Sequence, residues 1–159
     1  SVPEKSVVPE QKTNANTQAS TPQPAIDKNE PEAPLFKNLF AYKPSQPHFI
    51  ALAIVSGSIN FEKTKEVFDK YNADNYGILN LKVSMETIGR MQFVIIGQFA
   101  DANVAKSYLL RMVREKTLFQ NMGDASYRNL VGTQANLNVM VQENALRTYL
   151  EFMQEYYLK

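Results

Sequence analysis

The sequence HFIALAIV, residues 48–55, is almost continuously apolar and lies between Pro47 and the pair Ser56 and Gly57. A second stretch, MQFVIIGQF at residues 91–99, contains the apolar run FVII. A strand that is buried on both faces has such a run instead of an alternation of apolar and polar residues. We therefore predict that these two stretches are the central strands of one sheet.

A strictly alternating segment lies between the two runs. In LNLKVSME, residues 79–86, apolar residues at odd numbers alternate with polar residues at even numbers. This period of two is typical of a strand with one buried face, which we place at an edge of the sheet. Gly89 and Arg90 then turn the chain into residues 91–99, so that a hairpin joins the two strands.

The helices are indicated by capping residues and by apolar spacing. Asn60 is expected to cap a helix with Phe61, Lys65, Phe68 and Tyr71 along one face. Asp101 is expected to cap a second helix, whose predicted buried stripe is Val104, Ala105, Tyr108, Leu109, Met112 and Val113. After a short strand at residues 127–131, Asn136 is predicted to open one long amphipathic helix that runs to Tyr156.

This order of elements predicts an α+β fold. Strand, helix, strand, strand, helix and strand give the ferredoxin-like βαββαβ sandwich, and the additional C-terminal helix follows it. The expected strand order is fourth, first, third, second, with the first two helices on one face. The other face, to which we assign Val94 and Ile96, needs the last helix or a partner to cover it, and the small residues Ala51 and Ala53 mark where that helix comes close.

The composition changes near Pro34. Residues 1–34 hold six of the eight prolines and no aromatic residue, so they cannot bury enough apolar surface to offset the cost of ordering them. We interpret them as a disordered Pro-rich linker, with a proline-rich docking peptide as the alternative. Residues 35–159 have the length of one compact domain. Because the chain begins with Ser and has no signal-peptide pattern, we expect it to be a piece of a longer protein.

Composition also narrows the classes of function. The chain has no cysteine, which excludes disulfides and thiol chemistry, and a formal net charge of +1 without a basic stripe. We therefore expect no nucleic-acid partner. No apolar run approaches the roughly 20 residues needed to cross a bilayer, so direct membrane insertion of this fragment is not expected.

No motif predicts catalysis, a metal or a cofactor. His48 is the only histidine and lacks partner ligands in the sequence, so we expect a structural role. Asp69 and Asp74 lie where nothing would raise a carboxyl pKa, and neither a G-x-S-x-G elbow nor a phosphate-binding glycine loop is present. An RNA-recognition surface is likewise not expected, because Phe93 and Phe99 lack the glycine-aromatic signature and are better explained as core.

Three strings resemble a known family. PHFIALAIV at residues 47–55, MQFVIIGQFADANVAKSYLLRM at 91–112 and ALRTYLEFMQEYYLK at 145–159 are similar to the C-terminal domain of SprE/PorW-like tetratricopeptide-repeat lipoproteins of Bacteroidota. The resemblance covers about residues 36–159 and implies a non-catalytic protein-interaction module in the cell envelope, on the periplasmic side of the outer membrane. The implied process is assembly of the gliding-motility and type IX secretion machinery.

A second resemblance concerns residues 93–112, FVIIGQFADANVAKSYLLRM, which are similar to the middle of SPOR domains. It implies an alternative function, binding of peptidoglycan glycan strands on an open sheet face. Coverage of that face by the last helix would remove such a site. In that case we predict that the edge strand binds a protein partner by main-chain pairing, with Asn80, Lys82, Ser84 and Arg90 as the contact residues.

Overall fold

The computed structural model describes residues 34–159, and these residues form an α+β fold. The prediction of a linker therefore concerns residues that lie, except for Pro34, outside the described part. The sheet is antiparallel with the order β2-β3-β1-β4, as predicted, and its strands are β1 (His48–Ser56), β2 (Lys82–Ile88), β3 (Met91–Phe99) and β4 (Ser126–Gly132).

The described helices are α1 (Phe61–Tyr76), α2 (Ala102–Met112), α3 (Gln134–Gln142) and α4 (Leu146–Tyr156). Short 3-10 turns at Gly77–Leu79 and Lys116–Phe119 follow α1 and α2. Both predicted caps are confirmed, because the Asn60 side chain accepts from the amide of Lys63 and the Asp101 side chain accepts from the amide of Val104.

One face of the sheet lies against α1. Tyr127 of β4 stacks on Phe119 with ring centroids 5.7 Å apart, and Phe119 meets Phe68 of α1 at 6.1 Å. Tyr127 is paired with Ile54, so residues of β1 with the same parity share this face, which we call the α1 side. By their pairing with β1, its further members are Ile50, Leu52, Val94, Ile96 and Val131. Our assignment of Val94 and Ile96 to the opposite face was therefore wrong.

The opposite face lies against α4 and is called the α4 side. A Cβ atom built on Gly132 would meet the hydroxyl of Tyr149, and Gly132 is paired with Phe49 of β1. Ala51 and Ala53 have the same parity as Phe49, so they lie on this side, where we expected the last helix to come close. Both are completely buried, as are Phe93 and Leu130, while Ile95 is 4 % exposed. The centre of this face is therefore sealed.

The C-terminal region departs from the predicted single helix. Thr133, not Asn136, is the cap of α3, and its side chain accepts from the amide of Asn136. Helix α3 ends at Gln142 and α4 begins at Leu146, and between them Asn144 has a left-handed φ of 50°. The C-terminal region is therefore two short helices, α3 and α4, in place of one long helix.

Two smaller expectations are also corrected. The buried stripe of α2 consists of Ala102, Ala105, Tyr108, Leu109 and Met112, whereas Val113 is 44 % exposed. On α1 the buried residues are Thr64, Phe68 and Asn72, so that only Phe68 of the predicted face is completely buried.

Residues 35–42 form a clasp that packs on α4. Phe40 is completely buried, and its ring lies 4.9 Å from that of Tyr149 and 5.5 Å from that of Phe152. The Asn136 side chain fixes the same segment, because Nδ2 donates to the Ala41 carbonyl at 2.8 Å and Oδ1 accepts from the Ala41 amide at 3.3 Å. This apolar turn is therefore packed on the domain.

Candidate interaction surface

The edge strand β2 is the part of the sheet that remains open to a partner. Within residues 34–159 it is paired with β3 alone, so the main-chain groups on its other side have no strand partner. Lys82, Glu86 and Thr87 are exposed, and only Val83 is buried. This strand is therefore as accessible as the alternating pattern predicted.

The register assigns each side chain of β2 to one face. Ser84 is paired with Ile95 and through it aligned with Ala51, so Lys82, Ser84 and Glu86 belong to the α4 side. Val83 and Met85 point to the opposite, α1 side, where they are buried and half-buried respectively. On the α4 side β2 thus presents Lys82, Ser84 and Glu86 at alternate positions. We call these three polar side chains the outward row.

The four predicted contact residues do not lie on one strip. Lys82 and Ser84 are on β2, as expected. Asn80 precedes the strand, because β2 begins at Lys82 and not at Leu79; it has a left-handed φ of 49° and its amide donates to the Gly77 carbonyl at 3.4 Å. Arg90 lies at the other end, in the turn between β2 and β3.

Asn80 and Arg90 instead line two separate cavities. The cavity beside Asn80 measures about 240 Å³ and is also lined by Asp69, Asn72, Ala73, Tyr76, Gly77 and Leu81. The cavity beside Arg90 measures about 440 Å³ and lies between the hairpin turn and the end of α3, lined also by Gly89, Met91, Val141, Gln142 and Asn144. Asn80 and Arg90 therefore flank the strand at its two ends.

Two residues that were not among the predicted contacts also belong to this surface. Glu86 continues the row of Lys82 and Ser84, and the alternation of residues 79–86 already contained that signal. Ile78 is 97 % exposed in the 3-10 turn before β2. No pattern in the sequence distinguished it from a buried residue, since isoleucine is among the residues most often buried.

The other sheet edge, β4, is covered at its C-terminal end. The hydroxyl of Tyr149 donates to the Val131 carbonyl at 2.6 Å, and Leu130, Val131 and Gly132 are buried. Burial raises the pKa of the Tyr149 hydroxyl well above its usual value, so the hydroxyl stays protonated as the donor. A partner strand therefore has less access to this end of β4 than to β2.

The side chains that could suggest chemistry have structural partners. His48 is completely buried, with Nδ1 2.7 Å from the Gln46 carbonyl and Nε2 2.8 Å from the Tyr157 hydroxyl, which fits the expected structural role. Asp69 pairs with Lys65 at 2.5 Å and Asp74 with Lys70 at 2.7 Å on the surface of α1. Within residues 34–159 no group of three or more His, Cys, Asp or Glu side chains could hold a metal ion.

Comparison of the chain with protein-family models, with curated proteins and with solved structures returned no match. In the part of the chain that the structure describes, no helix has the length and apolar character needed to cross a membrane.

Proposed function

We propose that residues 35–159 are a non-catalytic module that binds a protein partner by adding one of its extended segments to the edge of β2. The observation that carries this proposal is the contrast between the two sheet edges. On β4 the Val131 carbonyl accepts from Tyr149, whereas β2 has an unpaired side and an exposed polar row. Strand addition supplies affinity through main-chain hydrogen bonds and specificity through alternate side chains.

The setting that we propose is the cell envelope, in assembly of the type IX secretion and gliding machinery. This setting rests on the resemblance of residues 36–159 to the SprE/PorW-like lipoprotein domains. The packing of the quoted strings is compatible with it, since they supply β1, β3, α2 and α4.

Binding of glycan strands to the sheet face, the alternative drawn from SPOR domains, has less support. Such binding requires polar and aromatic side chains on an open face. The central residues of the α4 side are instead alanines and large apolar side chains, and they are at most 4 % exposed. The partner that fits the remaining open surface is a polypeptide.

Selection of peptides from a random display library, followed by amide hydrogen exchange of the bound domain, tests the proposal. We expect the selected peptides to slow exchange at alternate amides of β2, because those amides acquire hydrogen-bond acceptors. Lys82→Glu should change the peptides' affinity, whereas Lys63→Glu, an equal charge change on an exposed residue of α1, should not.

A sedimentation assay with purified peptidoglycan sacculi is run in parallel. Saturable binding of residues 35–159 to sacculi, or peptides that protect other elements and leave β2 unchanged, would overturn the proposal.

A further inference from the structure

The outward row of β2 is self-complementary in charge. Lys82 and Glu86 lie two positions on either side of Ser84 and on the same face, with opposite signs. Neither side chain has an ion-pair partner within residues 34–159. Two such strands placed antiparallel, with Ser84 opposite Ser84, would bring each lysine opposite a glutamate.

We propose that the β2 edge pairs with the β2 edge of a second copy of this domain, antiparallel and centred on Ser84. Lys82 of each copy then faces Glu86 of the other, which gives two ion pairs across a twofold axis. On the opposite face, Val83 of each copy lies beside Met85 of the other. The two sheets become one continuous sheet of eight strands. This inference rests on the proposed function, because it takes β2 as the contact edge and names the partner.

The register is decided by these side chains. Directly opposite residues in an antiparallel pair lie on the same face, and opposite charges there stabilise the pair while like charges destabilise it. Centring the pair on Val83 would place Lys82 opposite Ser84, and centring it on Met85 would place Glu86 opposite Ser84. Among these three registers only the one centred on Ser84 pairs both charges and places apolar Val83 beside apolar Met85.

The ends of the strands add a second contact. In this register the 3-10 turn Gly77–Leu79 of one copy approaches the hairpin turn Gly89 and Arg90 of the other. Ile78, 97 % exposed in the single copy, would lose solvent there. The contact would thus cover the exposed apolar pair of Ile78 and its neighbour Leu79, which is 40 % exposed.

Pairing of two seven-residue strands buries little area, so the dimer is expected to be weak. Its measurement therefore needs protein from about 10 µM to about 1 mM, as in sedimentation equilibrium of residues 35–159. We expect a concentration-dependent dimer for the unaltered domain. Lys82→Glu and Glu86→Lys should each weaken it by about tenfold or more, because each places like charges opposite one another twice.

A charge-swapped double variant and a mixture of the two single variants test whether the loss of affinity is caused by the charge pairs. The double variant Lys82→Glu/Glu86→Lys restores both pairs within a homodimer and should regain the affinity. An equimolar mixture of the two single variants should form a mixed dimer, since one strand then carries two glutamates and the other two lysines. Ile78→Ser should weaken the dimer, and Lys63→Glu, away from the edge, should leave it unchanged.

A domain that stays monomeric at about 1 mM, or a dimer that neither single charge variant weakens, would overturn the inference. If the domain stays monomeric while selected peptides still protect β2 from exchange, only the self-pairing is wrong and the proposed function remains. If the domain stays monomeric and the selected peptides protect other elements but not β2, both the self-pairing and the proposed function are wrong. Unchanged circular dichroism of each variant verifies that it is folded.

Discussion

At the scale of single residues, two glycines differ in whether the structure has room for a larger side chain. At Gly132 an added Cβ would lie 1.8 Å from the hydroxyl of Tyr149. Tyr149 cannot swing away cheaply, because it is completely buried between Phe40 and Phe152 and donates to the Val131 carbonyl. At Gly77 no atom other than those of its chain neighbours and of the adjacent helix backbone lies within 4 Å of the added Cβ, and φ is −53°.

Gly132→Ala is therefore expected to lower the free energy of unfolding by about 2 kcal/mol or more, through overpacking and loss of the Tyr149 hydrogen bond. Gly77→Ala should raise it by about 0.4–1 kcal/mol, because alanine has less conformational freedom to lose on folding. Urea unfolding of the two variants measures the difference. Equal effects of the two substitutions would show that Tyr149 is not fixed as described.

At the scale of elements, the clasp stabilises the helix that seals the sheet. Phe40→Ala removes a completely buried ring that lies between α4 residues, and we expect a loss of about 3–5 kcal/mol of unfolding free energy. Leu35→Ala is the matched control in the same segment, since Leu35 is 55 % exposed, and its effect should stay within about 0.5 kcal/mol. Urea unfolding followed by near-ultraviolet circular dichroism measures both, and a Phe40→Ala domain as stable as the control would contradict the structural role of the clasp.

The elements whose position is determined by local sequence patterns could be predicted from the sequence. The continuous apolar runs identified β1 and β3 as central, the alternation identified β2 as an edge, and Asn60 and Asp101 each bond an amide three residues ahead. For the candidate surface, the alternation correctly placed Lys82 and Ser84 on β2.

Elements decided by distant contacts could not be predicted. Asn136 looked like a helix cap, but its side chain is bonded to Ala41, 95 residues earlier, and Thr133 caps α3 instead. Leu79 continued the alternation of β2, but the 3-10 turn ends there and the left-handed Asn80 delays the strand to Lys82. In both cases a local pattern was compatible with two structures, and tertiary packing selected the other one.

At the scale of the whole molecule, tyrosines with raised pKa values make the stability of the fold depend on pH in the alkaline range. Burial raises the pKa of the Tyr108, Tyr149 and Tyr157 hydroxyls above the ordinary value, and burial together with the neighbouring Tyr76 raises the pKa of Tyr71 to about 12. In the unfolded chain these hydroxyls ionise near pH 10, as ordinary tyrosines do.

The folded state therefore holds more protons than the unfolded state above about pH 10. The stability that these groups contribute is complete below pH 10 and is lost as the pH rises from there towards the folded pKa values. We expect base-induced unfolding in which tyrosinate absorbance and the loss of circular dichroism rise together. Titration of all eight tyrosines near pH 10 without unfolding would contradict the burial described here.

The clasp also determines how the domain responds to mechanical tension. Phe36 and Tyr156 lie side by side, with ring centroids 6.2 Å apart, so the chain enters and leaves the described region at one corner. We expect a force that separates these two points to act first on the aromatic contacts between residues 36–42 and α4, because these contacts lie closest to both points. Under tension we therefore expect the helix that covers the α4 side to loosen before the strands separate, so that buried residues such as Ala51 and Phe93 meet water first.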